Sequence, residues 1–157
     1  MKISISPQYE HLRGDILKVV TGDYIASKVY CHKRNVVEKV CMQGKDYVVK
    51  TYKRPNFFNR LAYTYLRKSK AKRAFLNALH LLELGIETPA PVAYIEIYNK
   101  GLFSKGYFIS EHVPYHTLDE VIKNKSPESH DLRLKTQFIE FSLSLHKKKV
   151  LPLDFNS

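Results

Sequence analysis

The chain has 157 residues, of which 44% are hydrophobic and 12% aromatic. That apolar content is sufficient for a core and excludes a disordered tail. Its two cysteines exclude a disulfide scaffold, and no apolar run approaches the roughly 18 residues that span a membrane. Because the N-terminus has no apolar signal segment, we expect a cytoplasmic protein.

The net charge of +11 is concentrated in one segment. Between Lys50 and Arg73 there are nine basic residues and no acidic one, whereas the rest of the chain has 17 basic and 15 acidic residues. Aromatic residues alternate with these cations. The segment is either a solvated helix face or a surface for an anion, such as a nucleotide, an anionic glycolipid or membrane, or nucleic acid. The sequence has no recognised nucleic-acid motif, which makes the last partner the weakest of these hypotheses.

The N-terminal part is predicted to be rich in strands. Residues 16–20, 24–31, 36–42 and 46–52 are each predicted as a strand, and the last two as a hairpin with a turn at 43–45. The stretch from Asn59 to Leu84 has helical spacing of apolar residues, with a joint near Ser69. Gly85 is a typical residue to end that helix.

The C-terminal part is predicted to change from strands to helices. Strands are expected over 92–98 and 105–113, and a short helix over 117–123. A longer helix is expected to about Lys148, with Ser126 as its N-cap and Pro127 in its first turn. A strand-rich half followed by a helical half is typical of an α+β fold. We expect residues 1–113 to form a sheet-and-helix unit, and 114–157 to form a hinge and the first helices of a second, incomplete unit.

Five segments carry a resemblance to a known family. Lys50 lies on a predicted strand, as does the kinase lysine that contacts nucleotide phosphates. Residues 108–113 form a strand that leads into a polar crossing, and residues 145–156 form a helix end followed by an aspartate. Together with Lys-Ala-Lys-Arg-Ala-Phe at 70–75 and Gly-Ile-Glu-Thr-Pro at 85–89, these segments resemble the bacterial lipopolysaccharide kinase family. That family contains Kdo and heptose kinases with a protein-kinase-like fold.

The resemblance implies an ATP-dependent phosphotransferase that acts with Mg²⁺ on sugar hydroxyls of lipopolysaccharide at the inner membrane surface. The first unit would be the kinase N-lobe and the second the start of its C-lobe. Lys50 would contact the nucleotide phosphates, while Glu111 and Val113 would flank the adenine through main-chain groups. Asp154 would be the catalytic aspartate that accepts the proton of the substrate hydroxyl. The basic segment would then face a phosphorylated glycolipid or the membrane.

The chain departs from the family pattern in several places. The metal-binding Asn, five residues after Asp154, would fall beyond Ser157, and so would the second metal-binding Asp. We therefore assign no metal ligand, and expect a chain truncated at the catalytic loop and inactive in phosphotransfer. No Gly-rich loop precedes Lys50, but Lys33 and Arg34 in the preceding turn could meet phosphates by charge.

The acidic partner that a kinase provides for this lysine is also not evident, since Leu76 stands where it is expected. These departures favour an alternative, a non-catalytic pseudokinase-like module that binds a nucleotide or a partner. A basic nucleic-acid-binding protein is the third hypothesis.

Overall fold

The computed structural model describes residues 1–32, 35–114 and 128–150. The chain divides into two compact units, Met1–Val113 and Pro114–Ser157. The first unit contains an antiparallel sheet with the strand order β1-β5-β6-β4-β3-β2. Its strands are β1 (Lys2–Ile5), β2 (Ala26–His32), β3 (Asn35–Met42), β4 (Lys45–Tyr52), β5 (Pro91–Asn99) and β6 (Leu102–Glu111).

Helices of the first unit pack on both faces of this sheet. They are a 3₁₀ helix (Pro7–Leu12), α1 (Arg13–Thr21), α2 (Phe57–Tyr65) and α3 (Lys70–Glu83). The described part of the second unit contains α4 (Glu128–Lys147). The predicted α+β fold class is confirmed. The helix predicted over 117–123 and the helix start predicted at Ser126 and Pro127 lie outside the described residues.

The prediction of a strand over 16–20 was wrong, because these residues belong to α1. Leu12, Ile16 and Val19 are buried, and this spacing of four and three residues is that of one helix face. The run of β-branched residues suggested a strand, but burial of one residue on each successive turn favours the helix. Gly22 ends the helix with φ at 84°, a left-handed conformation that suits glycine.

Sequence reasoning also missed the N-terminal strand. β1 extends the sheet beyond β5, and Ile3 lies opposite Ile95. Directly after it, the Ser6 hydroxyl donates a 2.6 Å hydrogen bond to the carbonyl of Pro91. The described sheet has six strands. The sequence predicted four strands before the helices and two after, but it included residues 16–20 and omitted β1.

The prediction of a jointed helix over 59–84 is confirmed. The Asn56 side chain accepts a hydrogen bond from the Asn59 amide and caps α2, and the Ser69 hydroxyl accepts one from the Lys72 amide and caps α3. Short polar side chains are the preferred N-caps, because they satisfy amides that lack an intrahelical partner. Gly85 follows α3 with φ at 65°, and the amide of Ile86 donates to the carbonyl of Leu81, as in a Schellman ending.

The two faces of the sheet are covered differently, since successive side chains of a strand alternate between faces. We call the face packed against the 3₁₀ helix and α1 the N-terminal face, and the face packed against α2 and α3 the helical face. On β4, Tyr47 and Val49 lie on the N-terminal face and are buried. The core on this face is formed by Tyr9, Leu12, Ile16, Val19, Val40, Met42, Tyr47, Val49, Val92, Ala93, Ile95, Tyr107 and Ile109.

On the helical face, α3 lies against β5 and β6. Phe75 packs on Tyr94 with ring centroids 5.2 Å apart. Gly106 of β6 allows the helix to approach closely, since a Cβ at this position would lie 3.1 Å from the Cβ of Ala71. This contact sets the distance between α3 and the strands.

Candidate functional site

Lys50 lies in the interior of the sheet, on the helical face. It is opposite Val37 of β3 and Phe108 of β6. Its side chain is half-buried, and Nζ lies 5.8 Å from the ring centroid of Tyr52. A lysine on a paired central strand has its backbone fixed on both sides, so its side chain leaves the sheet at a defined place.

Lys50 belongs to none of the ion pairs formed within residues 1–32, 35–114 and 128–150. The only carboxylate of α3 is Glu83, in the last turn of the helix, where it is exposed and pairs with His80 at 3.5 Å. No acidic side chain of α3 therefore faces the strands.

A cavity of about 200 Å³ lies between the later turns of α3 and the end of β6. Phe108, which is the register partner of Lys50, lines it together with Ser110. From α3 the lining residues are Ala74, Asn77, Ala78 and Leu81. Leu76, the position singled out in the sequence, is not among them. Asn77 is thus the polar side chain that α3 presents to this cavity, and the sequence pattern alone did not identify it.

The end of β6 is anchored on both sides. The amide of Glu111 donates to the carbonyl of Ala90 at 2.9 Å, and the amide of His112 donates to the carbonyl of Asp46 at 3.2 Å. Val113 follows with an exposed side chain. These bonds position the segment 111–113, in which the sequence places two candidate main-chain contacts.

The Glu111 side chain is on the N-terminal face, since Glu111 lies opposite Tyr47. Burial, together with the hydrogen bond to Glu111 and its negative charge, raises the pKa of Tyr9 to about 12. The carboxylate is therefore directed toward the core rather than toward the helical face. Any ligand contact of Glu111 on the helical face would come from its main chain.

The other candidate residues, Lys33, Arg34 and Asp154, lie outside the described residues. The structure does describe Asn35, which directly follows the basic turn. Asn35 lies opposite Tyr52 across the β3–β4 hairpin. It therefore shares the helical face with Lys50, two residues along the neighbouring strand.

A second cavity, of about 320 Å³, lies where β4 leads into α2. We call it the α2 cavity. Its lining residues are Asn35, Tyr52, Lys53, Arg54, Pro55, Asn56, Asn59, Tyr63, Lys70 and Phe103. Three of these are cationic and none is acidic, so the described lining favours an anion. Burial raises the pKa of Tyr52, opposed by the positive charge of Arg73, so this phenol stays neutral at physiological pH.

Buried polar contacts attach α2 and the start of α3 to the sheet. The Arg60 guanidinium donates a 2.8 Å hydrogen bond from Nε to the carbonyl of Phe103. The Thr64 hydroxyl accepts a 2.9 Å bond from the amide of the same residue. At the start of α3, the carboxylate of Glu96 accepts hydrogen bonds from Ser69 at 2.6 Å and from Tyr98 at 3.0 Å.

Membrane-spanning helices and clusters of metal ligands are both absent from the described residues. None of the helices in this part of the chain is both long and apolar enough to cross a membrane. Likewise, the described side chains contain no group of three or more His, Cys, Asp or Glu that could hold a metal ion.

Comparison with known proteins found similarity to solved structures. No family model matches the chain, and no curated protein matches it. Among solved structures, the chain is similar to WaaP in complex with acyl carrier protein, with 17% sequence identity and a TM-score of 0.48 over 80% of this chain. The match covers 46% of the WaaP chain, so this chain spans about half the length of that protein.

Proposed function

We propose that this chain is a kinase-like domain that binds ATP on the helical face of its sheet, with Lys50 at the phosphates. The observation that carries the proposal is the place of Lys50 on an interior strand, half-buried and without a carboxylate partner among the described residues. A cation that no protein anion neutralises attracts phosphate strongly in a partly desolvated site. The sequence resemblance to lipopolysaccharide kinases supports the same role.

The adenine would lie near the end of β6. From Phe108, opposite Lys50, to Glu111 is three residues of strand, or about 10 Å, a span that a nucleotide bridges from base to phosphates. The amide of Glu111 already donates to Ala90, which leaves its carbonyl to accept from the base. The amide of Val113 would supply the donor. The basic turn with Lys33 and Arg34 would add charge at the phosphate end.

The acceptor in this proposal is a sugar hydroxyl of lipopolysaccharide, with Asp154 accepting its proton. Both rest on the sequence resemblance. Mg²⁺ would accompany ATP, but the described residues contain no side-chain cluster that fits the ion. In the proposal, the residues of this chain bind and orient the nucleotide.

The proposal is tested by titrating ATP into the protein in a calorimeter. We expect Lys50→Met to weaken ATP binding at least tenfold, because the variant keeps the aliphatic stem but loses the cation. Lys45→Met is the matched control, since Lys45 lies on the same strand but is exposed. Absence of ATP binding by the unaltered chain, or equal binding by both variants, would contradict the proposal.

A non-catalytic module that binds the nucleotide without turnover is the second candidate. The observation in its favour is Asn77, a neutral amide on the part of α3 that faces β6. A kinase holds its lysine with a helix carboxylate, and both must be in place for phosphoryl transfer. Binding of Mg-ATP to the full-length native protein, with no phosphate transferred to lipopolysaccharide or water, would support this candidate over the enzyme.

A further inference from the structure

The helix α2 has one buried face and one exposed apolar face. Arg60 and Tyr63 are buried against the sheet. Phe58 is 80% exposed, and Leu66, directly after the helix, is 82% exposed. The apolar residues on the outward face are Phe57, Phe58, Leu61, Tyr65 and Leu66. So dense a group of exposed large side chains marks an interaction surface.

This apolar face is held outward by the contacts of the opposite face. The bonds of Arg60 and Thr64 to Phe103 fix α2 on β6. Arg67 adds a 2.8 Å hydrogen bond to the side chain of Asn59, and its guanidinium lies 4.8 Å from the ring centroid of Tyr63. Rotation of α2 to bury its phenylalanines would break these bonds.

Cations flank the apolar face at both ends. Lys53 and Arg54 precede α2, and Arg67 and Lys68 follow it, all with exposed side chains. The nearest acidic residues along the chain are Asp46 and Glu83. The α2 cavity adds the half-buried Lys70 to this positive region.

We propose that α2 docks the protein on an anionic lipid bilayer. The exposed apolar face enters the boundary between headgroups and acyl chains, and the α2 cavity takes a phosphate-bearing headgroup. Asn56 and Asn59 line the cavity, and the two residues between them in sequence are Phe57 and Phe58. A headgroup in the cavity therefore lies beside the side chains that enter the bilayer.

The chemistry of the surface favours a bilayer over an acidic protein as the partner. Aromatic and leucine side chains with flanking Lys and Arg form the typical composition of interfacial helices. Each cation near an anionic membrane adds to binding. The apolar side chains project from a short helix rather than line a groove, and a fluid bilayer accommodates such a projection without a complementary shape. This docking does not depend on nucleotide binding.

Tryptophan fluorescence provides a direct test, because the chain contains no Trp. Phe58→Trp places a single probe on the apolar face, and Ile25→Trp places one at a side chain that is 89% exposed just before β2. With vesicles of equimolar phosphatidylcholine and phosphatidylglycerol, we expect a blue shift and quenching by brominated acyl chains for the first probe. The second probe should show neither change.

Vesicle cosedimentation gives the contribution of each group. The double variant Phe57→Ser/Phe58→Ser should bind anionic vesicles at least tenfold more weakly than the unaltered chain, whereas Ile25→Ser should bind as the unaltered chain does. Arg54→Ala/Lys70→Ala should weaken binding about thirtyfold, since two cations are removed. Lys28→Ala/Lys45→Ala is its control. Thermal melts confirm that each variant is folded.

The proposal is overturned by any of three results. The unaltered chain fails to bind anionic vesicles without nucleotide; the serine double variant binds them as the unaltered chain does; or the fluorescence of the Phe58→Trp variant is not quenched by brominated lipid. Binding of a small acidic protein that depends on Phe58, with no binding to vesicles, would overturn it in favour of a protein partner.

Discussion

The two faces of the sheet are formed by the same strands but differ in the burial and charge of their side chains. On the N-terminal face, Tyr47, Val49 and Ile109 are buried in a continuous apolar core. One residue away along these strands, Lys50 and Phe108 are only half-buried. Phe108 lines a cavity against α3, a helix without an inward carboxylate. We therefore expect a substitution on the N-terminal face to cost more stability than one at Lys50, and the helical face to accommodate charge.

The largest expected effect is the loss of a side chain from the N-terminal face. Ile16 is fully buried, so Ile16→Ala should lower the free energy of unfolding by about 3 kcal/mol through lost burial and the cavity left behind. Lys50→Ala on the other face should lower it by less than about 1 kcal/mol. Denaturant titration of both variants checks this, and equal losses would remove the distinction between the faces.

A smaller effect is expected where α3 approaches the sheet. Gly106→Val should cost about 2 kcal/mol, because the new side chain meets the Cβ of Ala71 and the ring of Phe103. The matched control is Gly14→Ala in α1, where a Cβ would meet nothing within 4 Å. That change should stabilise the protein by about 0.5–1 kcal/mol. Denaturant titration measures both; destabilisation by the control would show that α1 is not the helix described.

The smallest effect is a pH dependence on the N-terminal face. Folding raises the pKa of Tyr9 from 10.0 to about 12, so the neutral phenol is favoured in the folded state. Its contribution to stability is complete below pH 10 and is lost as the pH rises through 12. Tyr9→Phe should therefore show a shallower fall in unfolding free energy over this range. An unchanged slope, measured by denaturant titration at several pH values, would contradict the role of Glu111 beside Tyr9.

Local signals predicted much of the fold. The β3–β4 hairpin follows from two β-branched runs around a glycine turn, and Gly44 has a φ of 80°. The joint at Ser69 follows from its capping chemistry. By contrast, α1 was misassigned because Ile16, Val19 and their neighbours have strand propensity, whereas their burial against distant strands selects the helix.

The candidate site was predictable only in part, for the same reason. The sequence predicted that Lys50 lies on a strand, and the structure shows it on β4. It did not identify Asn77, because the rotation of α3 about its axis is set by the contact between Ala71 and Gly106, two residues far apart in the chain. The α2 cavity likewise combines residues from β3, α2, α3 and β6, which no local pattern brings together.

The attachment of β1 to β5 has a consequence for synthesis of the protein. Ser6 and Pro91, which are hydrogen-bonded, are 85 residues apart in sequence. β1 therefore acquires its partner strand only after β2, β3, β4, α2 and α3 have been made. Until then Ile3 and Ile5 have no sheet to join, so closure of the N-terminal face is expected among the last steps of folding.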